Sequence, residues 1–165
     1  LSTGRPAVPG SDPKYVSRYI DEESTPQFPF GFGLSYSTFQ YGATEINAKT
    51  LKASQLSSAL NKKVAPALTA TAAVTNSGSV AGEEVVQLYV RLEGTSTAQP
   101  VRALKGFQRV SLAPGETKKV TFNLAPDAFA LWSIDNQFTV EAAKATVWIS
   151  PNSAAGTGTP LEITP

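Results

Sequence analysis

Leu68, Ala70, Ala72 and Val74 alternate with Thr69, Thr71, Ala73 and Thr75, and the same period of two returns along the chain. An extended strand sends successive side chains to opposite faces, so the run predicts a half-buried β-strand. Glu84–Val90 is β-branched and aromatic, with Val86, Leu88 and Val90 on one face. Leu104–Leu112 reads as another strand, and Val120, Phe122 and Leu124 alternate with Lys119, Thr121 and Asn123. Ala145, Val147 and Ile149 line one face of a late strand with Trp148 on the other, and Leu161–Thr164 is a short final strand. Turn chemistry separates these runs. Asn76–Gly82 is one such stretch, and Ala113-Pro114-Gly115-Glu116 is another, where Pro sets φ and Gly accepts a positive one. Short strands with turn signals every ~8–12 residues predict an all-β sandwich.

Finer expectations follow from single residues. Gly78 and Gly82 let the chain turn between the second and third strands as a hairpin, and Asn76 can bond its own backbone. Gly106 inside a strand predicts a bulge or a close backbone approach. Phe107 and Tyr89 are expected in the core or between sheets. Asp127–Leu131 suits one helical turn capped by Asp127, and Glu45–Ala65 reads as a strand end followed by a long exposed loop. Ser153–Thr159 is expected to be a flexible hairpin or tail.

Residues 1–36 differ in kind. They are rich in Gly, Pro, Ser and aromatics without a sustained period, and eight of the chain's 15 aromatic residues fall between Tyr15 and Tyr41. Disordered linkers are poor in aromatics, whereas each buried aromatic removes ~150–250 Å² from water. Phe28-Pro29-Phe30-Gly31-Phe32-Gly33 cannot continue as a helix with one Pro and two Gly in six residues. The segment is therefore expected to be extended and docked, the alternative being a frayed terminus.

The 165 residues suit one domain with a sizeable core. Lys plus Arg total 14 against 13 for Asp plus Glu, which leaves no excess of cations for nucleic acid. No basic run or basic amphipathic helix points to a membrane surface, and no apolar stretch approaches the ~20 residues of a span. The chain has no Cys and no His, so thiolate nucleophiles, disulfides and imidazole bases or ligands are excluded. It begins at Leu1 without a signal-peptide pattern and is expected to be a piece of a longer protein.

Three stretches carry a resemblance. Phe28-Pro29-Phe30-Gly31-Phe32-Gly33-Leu34-Ser35-Tyr36-Ser37-Thr38-Phe39 is the first. Val74-Thr75-Asn76-Ser77-Gly78 with Gly82–Val90 is the second, and Leu104–Val110 with Leu112–Glu116 the third. Upstream, Thr3–Pro6 and Ser17–Asp21 extend it. In this order they resemble the C-terminal region of family-three glycoside hydrolases of the β-glucosidase and β-xylosidase type. Phe32 and Ser37 are mild departures from the junction pattern. Ser133 stands after Trp132 where the family often has an acidic residue, and Glu141–Lys144 stands where it usually has a Pro-Gly turn.

The resemblance implies an all-β, immunoglobulin/fibronectin type III-like antiparallel β-sandwich over 37–165. It implies that 1–36 form an extended connector from an upstream catalytic domain. The partners implied are the upstream catalytic domains of the same polypeptide, with Phe28, Phe30, Phe32, Leu34 and Tyr36 as docking anchors. It places Arg18, Tyr19 and Asp21 at the rim of the parent's active site. The parent would be a retaining hydrolase of terminal β-linked glucosyl or xylosyl residues, without a cofactor, in the periplasm or secreted. Its Asp nucleophile and acid/base Glu would precede the junction, and no residue here matches the nucleophile motif. Asp21-Glu22-Glu23 and Glu83-Glu84 are the acidic clusters, and strand neighbours such as Glu83 and Glu84 face opposite ways, unsuited to the carboxylate pair that glycoside hydrolysis needs. Two other functions compete: oligosaccharide binding by stacking on Trp132 or Trp148, although strand Trp is more often packed, and adhesion by a free-standing sandwich.

Overall fold

The computed structural model describes residues 25–60, 62 and 66–165. Two sheets face each other. The first is built on β4 (Leu68–Asn76), whose whole length on one edge pairs antiparallel with β7 (Thr117–Leu124). Its other edge takes two short strands in succession, β1 (Phe39–Tyr41) beside Val74–Asn76 and β2 (Glu45–Ile46) beside Ala70–Thr71. The second sheet runs β3 (Thr50–Lys52), β11 (Thr159–Thr164), β10 (Ala143–Ser150), β5 (Gly82–Glu93), β6 (Ala103–Leu112). All of these pairs are antiparallel except β3 with β11. The chain from β1 through β2 to β3 thus starts on the edge of one sheet and ends on the edge of the other. A small ribbon of β8 (Leu131–Trp132) and β9 (Phe138–Thr139) lies outside both sheets.

The alternation read from the sequence sets the core. Leu68, Ala70, Ala72 and Val74 of β4 face Val86, Leu88 and Val90 of β5 and Ala145, Val147 and Ile149 of β10, all buried. Val120, Phe122 and Leu124 complete the first sheet's inner face, and Leu161 and Ile163 the second's. Trp148 lies on the opposite face of β10, as the period of two requires.

Four expectations are corrected. β4 and β5 belong to different sheets, so Asn76–Gly82 is an arch between layers and not a hairpin. Its glycines serve close approach: a Cβ on Gly78 would meet Ser37 Oγ at 2.1 Å and the Thr38 nitrogen at 2.9 Å. Second, residues 45–60 are not a strand end and loop. They form β2, β3 and a helix, α1 (Ala53–Ala59), whose Ala53 and Leu56 close one end of the core on a single face. Third, the turn at Pro126–Phe129 is a 3-10 helix with Ala125 at its cap and Pro126 in the first turn, so Asp127 lies inside it and caps nothing. Fully buried Phe129 plugs the core from this turn.

The fourth is Phe107, which is 68% exposed. Gly106 pairs with Leu88 and lies on the inner face, where a Cβ would touch the Phe122 ring at 3.4 Å. With Gly106 inward, the next residue must point out. The bulge expected at Gly106 is present as a register shift between the Leu88–Gly106 and Tyr89–Leu104 pairs, and the inward position of Gly106 is what sends Phe107 outward.

Candidate docking face

Residues 86–90 of β5 are buried on both faces, so a second layer must cover the outside of this sheet. On that outer face Gln87 lies beside Ser150 and Tyr89 beside Trp148. The cover comes from the connector at Phe30–Gly31, from the loop after β10 and from Arg102. Gln87 Nε2 donates to the Gly31 carbonyl at 3.0 Å and to the Pro151 carbonyl at 2.6 Å, while its Oε1 accepts the Tyr89 hydroxyl at 2.5 Å. Both N–H donors of that amide and one lone pair of its oxygen are thereby used. Ser153 N donates to the Phe30 carbonyl at 2.9 Å, tying connector and loop together. Burial raises the pKa of the Tyr89 hydroxyl, which keeps it a donor. Beside it the Arg102 guanidinium lies 4.3 Å over the Trp148 ring, and its Nη1 donates to the Ala155 carbonyl at 2.7 Å.

The connector is thus fastened by its main chain. Its large side chains point away: Phe28, Phe30, Phe32 and Tyr36 are exposed, and Leu34 is 92% exposed. The Phe28 and Phe32 rings meet at 5.0 Å. Phe30 with Pro29, Val101 and Leu104 lines one groove, and Phe32 and Leu34 with Val85 line a second. Phe30, Phe32 and Leu34 of the five expected anchors thus line grooves, with Val85, Val101 and Leu104 as apolar neighbours, Phe28 stands against Phe32, and Tyr36 is open to solvent. Arg18, Tyr19 and Asp21 lie outside the described residues.

Further along, Ser37 Oγ donates to Asn76 Oδ1 at 2.6 Å and Ser77 N to the Thr38 carbonyl at 2.8 Å, leading the connector into β1. Gln87, Arg102 and the Pro151–Ala155 loop were missed as site residues, and Tyr89, expected in the core or between the sheets, is buried on the outer face instead. Their signal was present: Tyr89 and Trp148 both fall on the face opposite the core residues of their strands, and two such large aromatics need cover.

The carboxylates divide as the strand period demands. Glu83 pairs with Arg109 and accepts from Ser111 Oγ, whereas Glu84 accepts the Tyr41 hydroxyl at 2.7 Å. Burial raises the Glu84 carboxyl above its ordinary range, and the Tyr41 hydrogen bond only partly opposes this. The folded state therefore holds its proton to higher pH than the unfolded chain does. The stability this gives is fully present below the ordinary glutamate range and is lost as pH rises through the raised folded value. Glu84→Gln keeps an acceptor for Tyr41 and removes the charge. Thermal unfolding should show it more stable than wild type at pH 7, with the advantage gone near pH ~4. A variant no more stable at pH 7 would contradict the assignment.

Among the described residues no group of three or more acidic side chains is placed to hold a metal ion, and no helix is long and apolar enough to cross a membrane. Trp148, 8% exposed beneath Arg102, has no free face for a sugar, whereas Trp132 is open to solvent.

Residues 84–153 match the fibronectin type III-like domain family. The chain is 38% identical over 154 residues to a periplasmic β-glucosidase of Salmonella typhimurium, covering 93% of this chain and 19% of that protein. It is 38% identical over 138 residues to a β-xylosidase of Formosa agariphila, covering 84% of this chain and 18% of that one. A crystal structure of β-glucosidase from Listeria innocua in complex with glucose superposes over all of this chain and 21% of its own, with a TM-score of 0.81 and 31% identity. The chain spans about a fifth of the length of these relatives. Residues 84–153 thus belong to the fibronectin type III-like domain family, and most of the chain matches one part of known β-glucosidases and a β-xylosidase, as its resemblance to family-three glycoside hydrolases implies.

Proposed function

We propose that the chain is a non-catalytic structural module of a β-glycosidase, bracing the catalytic domains of the same polypeptide. The reading is carried by one observation: the connector is fixed to the sandwich through its backbone while its large apolar side chains are left exposed. Such a patch is costly in water and rigid enough to fit a partner. Burying each large side chain contributes roughly 1.5–3 kcal/mol, so a few of them suffice to hold two domains together. The parent would hydrolyse terminal β-linked glucosyl or xylosyl residues with its own upstream carboxylates. A periplasmic or secreted location is supported by the periplasmic relative.

The test mixes this chain with the separately produced catalytic portion of its parent. Micromolar association is expected by calorimetry, and Phe30→Ser with Leu34→Ser should weaken it by about 10-fold or more. Both side chains are exposed, so the unfolding temperature of the chain alone should not change. Association that is absent, or indifferent to both substitutions, would sink the proposal.

A further inference from the structure

A second exposed aromatic surface lies on the β8–β9 ribbon. Trp132 and Phe138 stand opposite each other across the two strands, ring centroids 5.6 Å apart and planes inclined at 49°. Period two explains the arrangement: Leu131 and Ser133 face the body and are buried, so Trp132 faces solvent, and Phe138, its cross-strand partner, shares that face. Trp132 is 65% exposed, and Ile134 at the tip extends the apolar area.

The ribbon is fixed from behind. Thr97 Oγ1 donates to the Trp132 carbonyl at 2.8 Å, and Ile134 N donates to Ser96 Oγ at 3.1 Å. Ser96 in turn donates from its nitrogen and its hydroxyl to the Glu141 carboxylate. Within the loop, Asn136 N donates to the Ser133 carbonyl and Ser133 N to the Gln137 carbonyl. Asn136 takes φ 55°, the left-handed residue that closes a three-residue hairpin loop. The result is a preformed aromatic shelf on braced backbone, the arrangement that makes binding inexpensive in entropy.

We propose that this shelf binds a β-linked oligosaccharide, one pyranose ring stacking on Trp132 beside Phe138. A β-linked glucosyl or xylosyl ring presents axial C–H groups on its faces and equatorial hydroxyls around its edge. The face suits the aromatic shelf. The hydroxyl edge suits the exposed Asp135, Asn136 and Gln137 side chains of the hairpin loop. That rim carries a carboxylate and amides and no cation, which disfavours phosphate-bearing ligands. The choice of β-linked chains over other sugars rests on the function proposed above; the shelf and its rim do not.

Tryptophan emission reports the site directly. The chain has two Trp, and Trp148 is covered by Arg102, so the solvent-sensitive emission belongs to Trp132. Titration of the whole chain with cellopentaose and xylopentaose should shift that emission to the blue with a Kd on the order of 1 mM, and maltopentaose should not. Trp132→Ala, read by amide NMR shifts at residues 96–99 and 131–139, should weaken binding about 10-fold or more at an unchanged unfolding temperature. Phe138→Ala should weaken it less and retain the emission signal. No response of the wild-type chain at about 10 mM sugar, an equal response to maltopentaose, or undiminished binding by Trp132→Ala overturns the proposal. So does a blue shift caused by the catalytic portion that also blocks sugar, because the shelf would then be part of the domain interface. Failure of sugar binding alone leaves the domain-association measurement untouched.

Discussion

Asn76→Ala should destabilise the chain by about 3 kcal/mol, lowering its unfolding temperature by about 10 °C. Asn76 is fully buried at the end of β4, where the connector, the arch and the end of β6 converge. Its Nδ2 donates to the Val80 carbonyl at 2.8 Å and to the Leu112 carbonyl at 3.0 Å. Its Oδ1 accepts Gly78 N at 2.9 Å and Ser37 Oγ at 2.6 Å. Truncation leaves four polar groups without that partner. A buried group so orphaned costs ~1–3 kcal/mol, and those nearest the surface recover water, which brings the sum down to the figure expected. Asn76→Asp is the sharper variant. It retains the acceptor and replaces both donated bonds by a carboxylate facing two carbonyl oxygens, so it should be no more stable than Asn76→Ala. Thr75→Ala, one residue away and bonded only to Thr117 at the surface, should change stability by less than ~0.5 kcal/mol. Equal unfolding temperatures for Asn76→Ala and Thr75→Ala would show that the hub carries nothing.

That hub illustrates what could be read in advance. The sequence reading assigned Asn76 a bond to its own backbone, and the bond to Gly78 N is there. It did not reach Ser37 or Leu112, which are close only because two sheets stack. The same limit recurs elsewhere. Alternation identified the inner faces of β4, β5, β7 and β10, because a period of two is a property of one strand. Which sheet a strand joins is a property of the whole chain, so Asn76–Gly82 looked like a hairpin and proved an arch. α1 is only two turns long and shows too little periodicity to be told from loop, although Ala53 and Leu56 are spaced to share a face. Phe107 was misplaced although its neighbour held the answer: Gly106 predicts a bulge or a close backbone approach, and its inward position beside the bulge fixes Phe107 outward. On the docking face the aromatic count was informative and the mode of attachment was not. Main-chain carbonyls hold the connector, and composition says nothing about carbonyls.

Gly31→Val separates that attachment from the side chains it presents. Gly31 has φ 81°, where a β-branched residue is strained by about 1–3 kcal/mol. An added Cβ would also lie 2.0 Å from Gln87 Oε1 and 2.7 Å from the Tyr89 hydroxyl. Neither atom can retreat without breaking the bond between them or the bonds from Gln87 Nε2 to Gly31 and Pro151. The connector should therefore detach at this point while the core, which contains no connector residue before Phe39, stays folded. Chymotrypsin should then cleave at Phe28–Tyr36 at least ~10-fold faster than in wild type, since cleavage follows the population of the open segment. The β-sandwich from Phe39 onward should survive the same digestion. Association with the catalytic portion should fall as well, although Phe30, Phe32 and Leu34 are all still present. This outcome differs from that of Phe30→Ser with Leu34→Ser, which removes apolar area and leaves the connector docked and resistant. If Gly31→Val instead cleaves slowly and still associates at full strength, backbone docking does not orient the anchors. Weak association by both variants, with only Gly31→Val made sensitive to protease, is the result that requires both apolar area and a fixed connector.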